Sequence, residues 1–300
     1  VLRALHRRNL TARAVNRSGS RSADIPADVE IIGGDAYSAD FNKEVTADAA
    51  VVYQCAQPHY HEWVEKFPPL QAAILEGATA SGAKLIVGEN TYMYGDTNGA
   101  PLTEDLPYNA HTRKGRVRAQ MSEVLFAAHR AGKVRVATAR GSDFYGPGVR
   151  GSAVGDRVFG PALLGSKAQF TGKLDIPHTY TFIDDFGEAM AILGEREEAL
   201  GQAWHVPNDS PTITQREFGA LIFQEMGLPP KMSGMGRTMM WIGGLFVPEA
   251  KETVEMMYEF EKPFVVDSSK FERTFQVTGT PVGEAIRRTV AWYRTILQQP

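Results

Sequence analysis

The chain of 300 residues is long enough to bury one large core or two unequal ones, and 43% hydrophobic with 22% charged residues is the composition of a globular protein. A net charge of −3 gives no broad basic field, which argues against nucleic acid as a partner, and no apolar run reaches the ~20 residues of a membrane-spanning helix. The single cysteine, Cys55, excludes an intrachain disulfide framework and a cysteine-built zinc site, and it suits a reducing cytoplasm.

In chain order, VLRALHRRNL sets Leu2, Leu5 and Leu10 among arginines, a helical pattern entered without an initiator Met, so the natural protein is expected to start upstream of Val1. Short apolar runs rich in branched residues then predict strands at 12–16, 29–35, 49–56, 84–90 and 134–141, with helices at 62–81 and 111–131 between the later ones. Strands alternating with amphipathic helices predict an α/β fold built on a doubly wound parallel sheet with right-handed crossovers. Such sheets bind ligands at the carboxyl ends of their strands.

Beyond the sheet, Tyr145-Gly-Pro-Gly148 reads as a tight turn, and the stretch to Lys173 reads as loop-rich. A strand and a capped helix are expected from HTYTFIDDFGEAMAILGE, with Asp184 and Asp185 capping a helix that begins near Phe186 in preference to forming an acid pair. Thr214 is expected to cap a further helix, with Glu217 at the capping-box position. The methionine-rich stretch Met232–Met257 reads first as core, and is apolar enough to cover a substrate or a partner subunit, so a homodimer is one expectation. This divides the chain into a nucleotide-type domain over 1–145, to which 178–206 returns, and a substrate lobe from 146–177 and 207–300.

The strand ends carry the functional signal: Asn16-Arg17-Ser18-Gly19, Gly34-Asp35-Ala36, Cys55-Ala56-Gln57 and Glu89-Asn90-Thr91-Tyr92-Met93-Tyr94-Gly95. With the Lys114 helix, Arg140–Gly148 and Thr181–Ala189, these features resemble the short-chain dehydrogenase/reductase superfamily in its extended or atypical branch, the NAD-dependent epimerase/dehydratase family. The resemblance runs over almost the whole chain and implies a Rossmann-like sheet, a bound nicotinamide dinucleotide and a small-molecule substrate. It implies dinucleotide contacts from Asn16, Arg17 and Ser18 to the ribose, from Asp35 and Ala36 to the adenine, and from Cys55 and Ala56 to the nicotinamide. Where NAD-selecting members place an acid, the chain has Asn16 and Arg17, so NADP is expected over NAD.

Two departures from the family pattern stand out. The first family strand and its G-x-x-G-x-x-G turn, whose backbone N–H groups cradle the pyrophosphate, are missing. The sequence as it stands is therefore expected to bind a dinucleotide poorly, and one longer by roughly 15 N-terminal residues to bind it well. The family's catalytic helix carries Tyr-x-x-x-Lys, but Lys114-Gly-Arg-Val-Arg118 puts Lys114 at the tyrosine and Arg118 at the lysine, and Asn90 takes the place of the family's serine.

Chemistry remains available to these residues. Asn90 can hydrogen-bond a carbonyl or hydroxyl, and Arg118 can meet the cofactor ribose. Lys114, with a free pKa of about 10.4, needs desolvation or neighbouring cations to act as a base near neutrality. Its simpler reading is a solvated basic face, opposite an apolar stripe of Val117, Met121, Val124, Leu125 and Ala128 that docks the helix. Tyr92 and His111 are the other proton candidates, with loop packing and helix capping as their plainer roles. His59, His61 and Glu62 lack a clear third ligand, so no metal is expected, and their loop is assigned to the substrate side.

Two functions follow: an NAD(P)-dependent oxidoreductase or epimerase/dehydratase acting on a carbonyl or secondary alcohol, and a dinucleotide-binding redox sensor or regulator without turnover.

Overall fold

The computed structural model describes residues 1–22, 25–243 and 252–297. Part of the Met232–Met257 segment, 244–251, lies outside the described residues. The chain divides into two compact units, the first of Val1–Met93, Arg113–Arg140 and Phe186–Trp204, the second of Tyr94–Thr112, Gly141–Asp185 and His205–Pro300.

In the first unit, α1 (Leu2–Arg7) precedes β1 (Arg13–Asn16) and β2 (Glu30–Gly33), which pair in parallel. Helix α2 (Ala39–Val45) is capped by Ser38, whose hydroxyl accepts the Phe41 N–H. Strands β3 (Val51–Gln54), β4 (Lys84–Glu89) and β5 (Arg135–Arg140) pair in parallel, and β7 (Ala203–His205) extends the sheet in the order β3-β4-β5-β7. The crossover helices are α3 (Trp63–Ser81) and α4 (Arg113–Arg130). Leu85, Val87 and Val136 pack with Phe67, Leu70, Ile74, Met121 and Leu125 into one core. Close packing of α2 on α3 needs Gly77, where a Cβ would stand 2.7 Å from the Asn42 Cβ. The five expected strands and two long helices are all present, with ends within three residues of the sequence reading.

The second unit holds α5 (Gly160–Leu163), the parallel pair β6 (Ala168–Thr171) and β8 (Met232–Met235), and the helices α7 (Gln215–Glu225), α8 (Arg237–Gly243), α9 (Ser269–Phe275) and α10 (Val282–Leu297). Its core is aromatic: Tyr145, Phe159, Phe170, Tyr180, Phe182, Phe218, Phe223 and Tyr293 pack together. The capping box on α7 is complete, with the Thr214 hydroxyl on the Glu217 N–H and the Glu217 carboxylate on the Thr214 N–H.

The loop-rich stretch 146–173 also contains α5 and β6, both too short to show a period. Two expectations need correction. The strand expected around 178–182 reduces to isolated bridges, His178 to Phe264 and Tyr145 to Phe182. Helix α6 (Ile183–Glu195) starts ahead of Phe186, so Asp184 and Asp185 lie in its first turn and do not cap it. Carboxylates there suit the helix dipole. Asp185 accepts the Thr280 N–H at 2.8 Å and its hydroxyl at 2.6 Å, and Asp184 pairs with Arg288. No described helix is long and apolar enough to cross a membrane.

Candidate active site at the carboxyl end of β4

Strand β4 ends in a carboxylate, Glu89, and its in-register neighbour on β5 ends in a cation, Arg140. Both are buried: the Arg140 Nε donates to Glu89 Oε2 at 3.0 Å, and its Nη2 donates to the Ser122 hydroxyl at 2.9 Å. A second buried guanidinium, Arg118, stands 3.6 Å from Glu89 Oε1 and lies 4.6 Å from the centre of the Phe67 ring. Burial pushes the Arg118 guanidinium below its usual range, and the Glu89 carboxylate opposes that shift. Two cations and one carboxylate thus sit in a dry layer directly behind the strand end.

Lys114 belongs to the same layer. It is 1% exposed, and its ammonium lies 4.6 Å from the centre of the Tyr60 ring. The solvated basic face expected for α4 is therefore corrected: Lys114, Gly115, Arg118, Met121, Ser122 and Leu125 form the docked stripe, while Val124 of the expected apolar stripe is 46% exposed. The cations go inward because aromatic faces from Tyr60, Trp63 and Phe67 and the Glu89 carboxylate receive them. Arg118 accordingly spends its guanidinium on Glu89 and Phe67.

Past Glu89, the chain turns. The Tyr92 N–H donates to Asn90 Oδ1 at 3.3 Å, which fixes the amide so that Nδ2 is its remaining donor. That Nδ2 is buried and has no hydrogen-bond partner among the described residues, and the same holds for the Thr91 hydroxyl. An orphaned donor at a strand end costs about 1–3 kcal/mol unless a ligand oxygen meets it. The Tyr92 hydroxyl lies 3.3 Å from the Tyr60 hydroxyl, and its ring centre is 6.0 Å from that of Trp63.

The structure thus gathers Asn90, Tyr92, Lys114 and Arg118 within one unit. His111 falls in the second unit, where its ring centre lies 4.9 Å from that of Tyr258. On the loop after β3, His59 and His61 stack on each other, and Glu62 pairs with Lys66. Sequence reading passed over Tyr60, Trp63 and the Glu89–Arg140 pair. Opposite charges closing two consecutive strands, KLIVGE and RVATAR, were the available signal for the pair.

The dinucleotide candidates line the other strand ends. Asn16 Oδ1 accepts the Ser18 N–H at 3.1 Å and its Nδ2 donates to the Ser20 carbonyl at 2.8 Å, an Asx turn that leaves Arg17 and Ser18 exposed. Asp35 is exposed and Ala36 half-buried, with the Tyr37 N–H on Asp35 Oδ1 at 3.0 Å. Cys55 and Ala56 are exposed just past β3.

The sequence profile of the NAD dependent epimerase/dehydratase family matches residues 1–206, about two-thirds of the chain. The chain belongs to that family. It is a family of enzymes, and the parallel α/β architecture expected from the sequence is shared by solved structures. An epimerase from Methanothermobacter thermautotrophicus superposes with a TM-score of 0.79 at 17% identity, covering 98% of this chain and 88% of that one. The UDP-glucuronic acid 4-epimerase of Bacillus cereus, solved with NAD, gives 0.77 at 15% identity over 99% and 95%. A dTDP-glucose 4,6-dehydratase double mutant from Streptomyces venezuelae, with NAD bound, gives 0.75 at 16% over 95% and 87%. At these identities the likeness is one of fold. No curated protein sequence matches the chain.

Proposed function

We propose that this epimerase/dehydratase family member is an NAD(P)-dependent oxidoreductase or epimerase/dehydratase that acts on a carbonyl or secondary alcohol of a small molecule or sugar derivative. One observation carries the reading: the buried, unpartnered Asn90 Nδ2 stands two residues from the Tyr92 phenol at a strand end. An unpartnered N–H donor two residues from a phenol can serve a carbonyl oxygen as charge develops on it, the amide to stabilise that charge and the phenol to deliver the proton. In the reverse direction the same pair receives an alcohol and removes its proton.

A bound nicotinamide would supply or accept the hydride. The residues present fit its two ends: the exposed Cys55 and Ala56 permit close approach at the nicotinamide end, and Asp35 and Ala36 offer a carboxylate and backbone to the adenine. No carboxylate closes β1, and Arg17 is exposed beside Ser18, which supports a 2′-phosphate and hence NADP over NAD. The second reading, a dinucleotide-binding regulator without turnover, is favoured by the packing of Lys114 and Arg118 into the protein.

The test is nicotinamide oxidation by the full-length natural protein across a carbonyl panel. Asn90→Ala is expected to lower kcat by roughly 10²–10³ and Tyr92→Phe by roughly 10²–10⁴. Dinucleotide binding without turnover on any carbonyl would favour the regulator, and full activity in both variants would remove Asn90 and Tyr92 from the site.

A further inference from the structure

We propose that Tyr60 is a positioning residue that relays the proton to Tyr92, with Lys114 as the fixed charge that stabilises its anionic form. The inference rests on the reading of Tyr92 above, but its geometry stands alone. The two phenol oxygens are 3.3 Å apart, and the Lys114 ammonium lies 4.6 Å from the centre of the Tyr60 ring. Lys114 is held there out of water, so its field at Tyr60 is little screened. Tyr60 is half-buried, which leaves a path for proton exchange with solvent.

Among the described residues, charged and titratable groups reach Tyr60 from several segments. Helix α4 presents Lys114, the turn after β4 presents Tyr92, and the Tyr60 segment itself carries His59, His61 and Glu62, the last paired with Lys66. Arg118 lies against Trp63 and Phe67, one aromatic layer further in. Lys114 is the cation set on the Tyr60 ring itself, where a ring that gains negative charge gains attraction.

The relay balances as follows. When the Tyr92 O–H bond breaks and its proton passes to the substrate oxygen, the Tyr60 proton moves to the Tyr92 oxygen. Tyr92 is again a phenol, Tyr60 is a phenolate under Lys114, and solvent returns one proton to Tyr60 before the next turnover. The site thereby regains a lysine–tyrosine pairing, with the two members on different elements from those the sequence would suggest.

The deciding experiment needs no dinucleotide. Tyrosinate absorbance of the wild-type protein is followed against pH, alongside Tyr60→Phe and Lys114→Met. A cation this close shifts a neighbouring group by about 1–3 pH units. The wild type is expected to show one phenol ionising roughly that far below the rest, the step vanishing in Tyr60→Phe and moving up in Lys114→Met. Absence of an early step, or its survival in Tyr60→Phe, would overturn the proposal. Because Tyr60→Phe keeps the ring under Lys114, misfolding is not its expected effect, and Lys114→Arg should retain the early step. A second readout is the pH profile of kcat/KM, where Tyr60→Phe is expected to move the tyrosine limb, whereas a purely structural role would lower activity evenly at every pH. If the early phenol is found and the full-length natural protein binds no dinucleotide, the functional reading fails and the Tyr60–Lys114 pairing stands.

Discussion

The buried charge layer behind β4 makes a quantitative prediction about stability. Glu89 has two cationic neighbours of unequal standing: Arg140, hydrogen-bonded at 3.0 Å, and Arg118, at 3.6 Å and stacked on Phe67. Arg140→Met would remove the guanidinium bonds to the Glu89 carboxylate and the Ser122 hydroxyl in a site closed to water, with the Ser122 hydroxyl at 3.4 Å and Arg118 at 3.6 Å as weaker contacts left to Glu89, a loss of about 3–5 kcal/mol. Arg118→Met removes the surplus cation and sets an apolar chain against Phe67 and Met121. It forfeits a cation–π contact of about 1–2 kcal/mol, but relieves the cost of burying an extra charge, so the net change should stay within about 1 kcal/mol. The assay is urea denaturation at neutral pH, with slopes checked for constancy so that midpoints report stability alone. The double variant Glu89→Met/Arg140→Met should lose less than the two single losses added, because each single change strands the other partner. Equal losses for Arg118→Met and Arg140→Met, or strict additivity in the double variant, would refute the arrangement.

Two further outcomes follow from single residues. Arg17→Ala should weaken NADPH binding about tenfold or more while leaving NADH binding unchanged, since it removes one charge-assisted contact of about 1.5 kcal/mol or more to a 2′-phosphate. Equal effects on both cofactors in a calorimetric titration would contradict that role. Burial pushes the Glu259 carboxyl well above the usual carboxylate range, with the Asp143 charge adding to it. A carboxyl raised in the folded state contributes stability that is full below its unfolded pKa of about 4.3 and lost as pH rises through the folded pKa. Glu259→Gln should therefore flatten the fall in denaturation midpoint as pH rises above about 4.3, and a difference from wild type that stays constant with pH would contradict the assignment.

Much of the sheet was legible because β4 and β5 are buried runs and β3 a half-buried one whose composition and length decide their type, and the α7 capping box was legible because all its partners lie within four residues. The site was legible only in part. The position of Asn90 and Tyr92 just past a strand could be read from the sequence. The inward turn of Lys114 and Arg118 could not, because the groups that receive them, Tyr60, Trp63, Phe67 and Glu89, come from other elements. A helix whose docking stripe contains two cations looks solvated when its own residues are the sole guide. Asp184 and Asp185 misled for the same reason, since their partners Thr280 and Arg288 lie about a hundred residues downstream.

The central claim concerns one donor and one phenol beside a bound nicotinamide. A crystal structure of the full-length natural protein with reduced dinucleotide and an unreactive carbonyl analogue tests it most directly. The account predicts the nicotinamide against Cys55 and Ala56, with the analogue's oxygen within about 3 Å of both Asn90 Nδ2 and the Tyr92 hydroxyl. A dinucleotide bound elsewhere, or an analogue oxygen met by neither group, would contradict it.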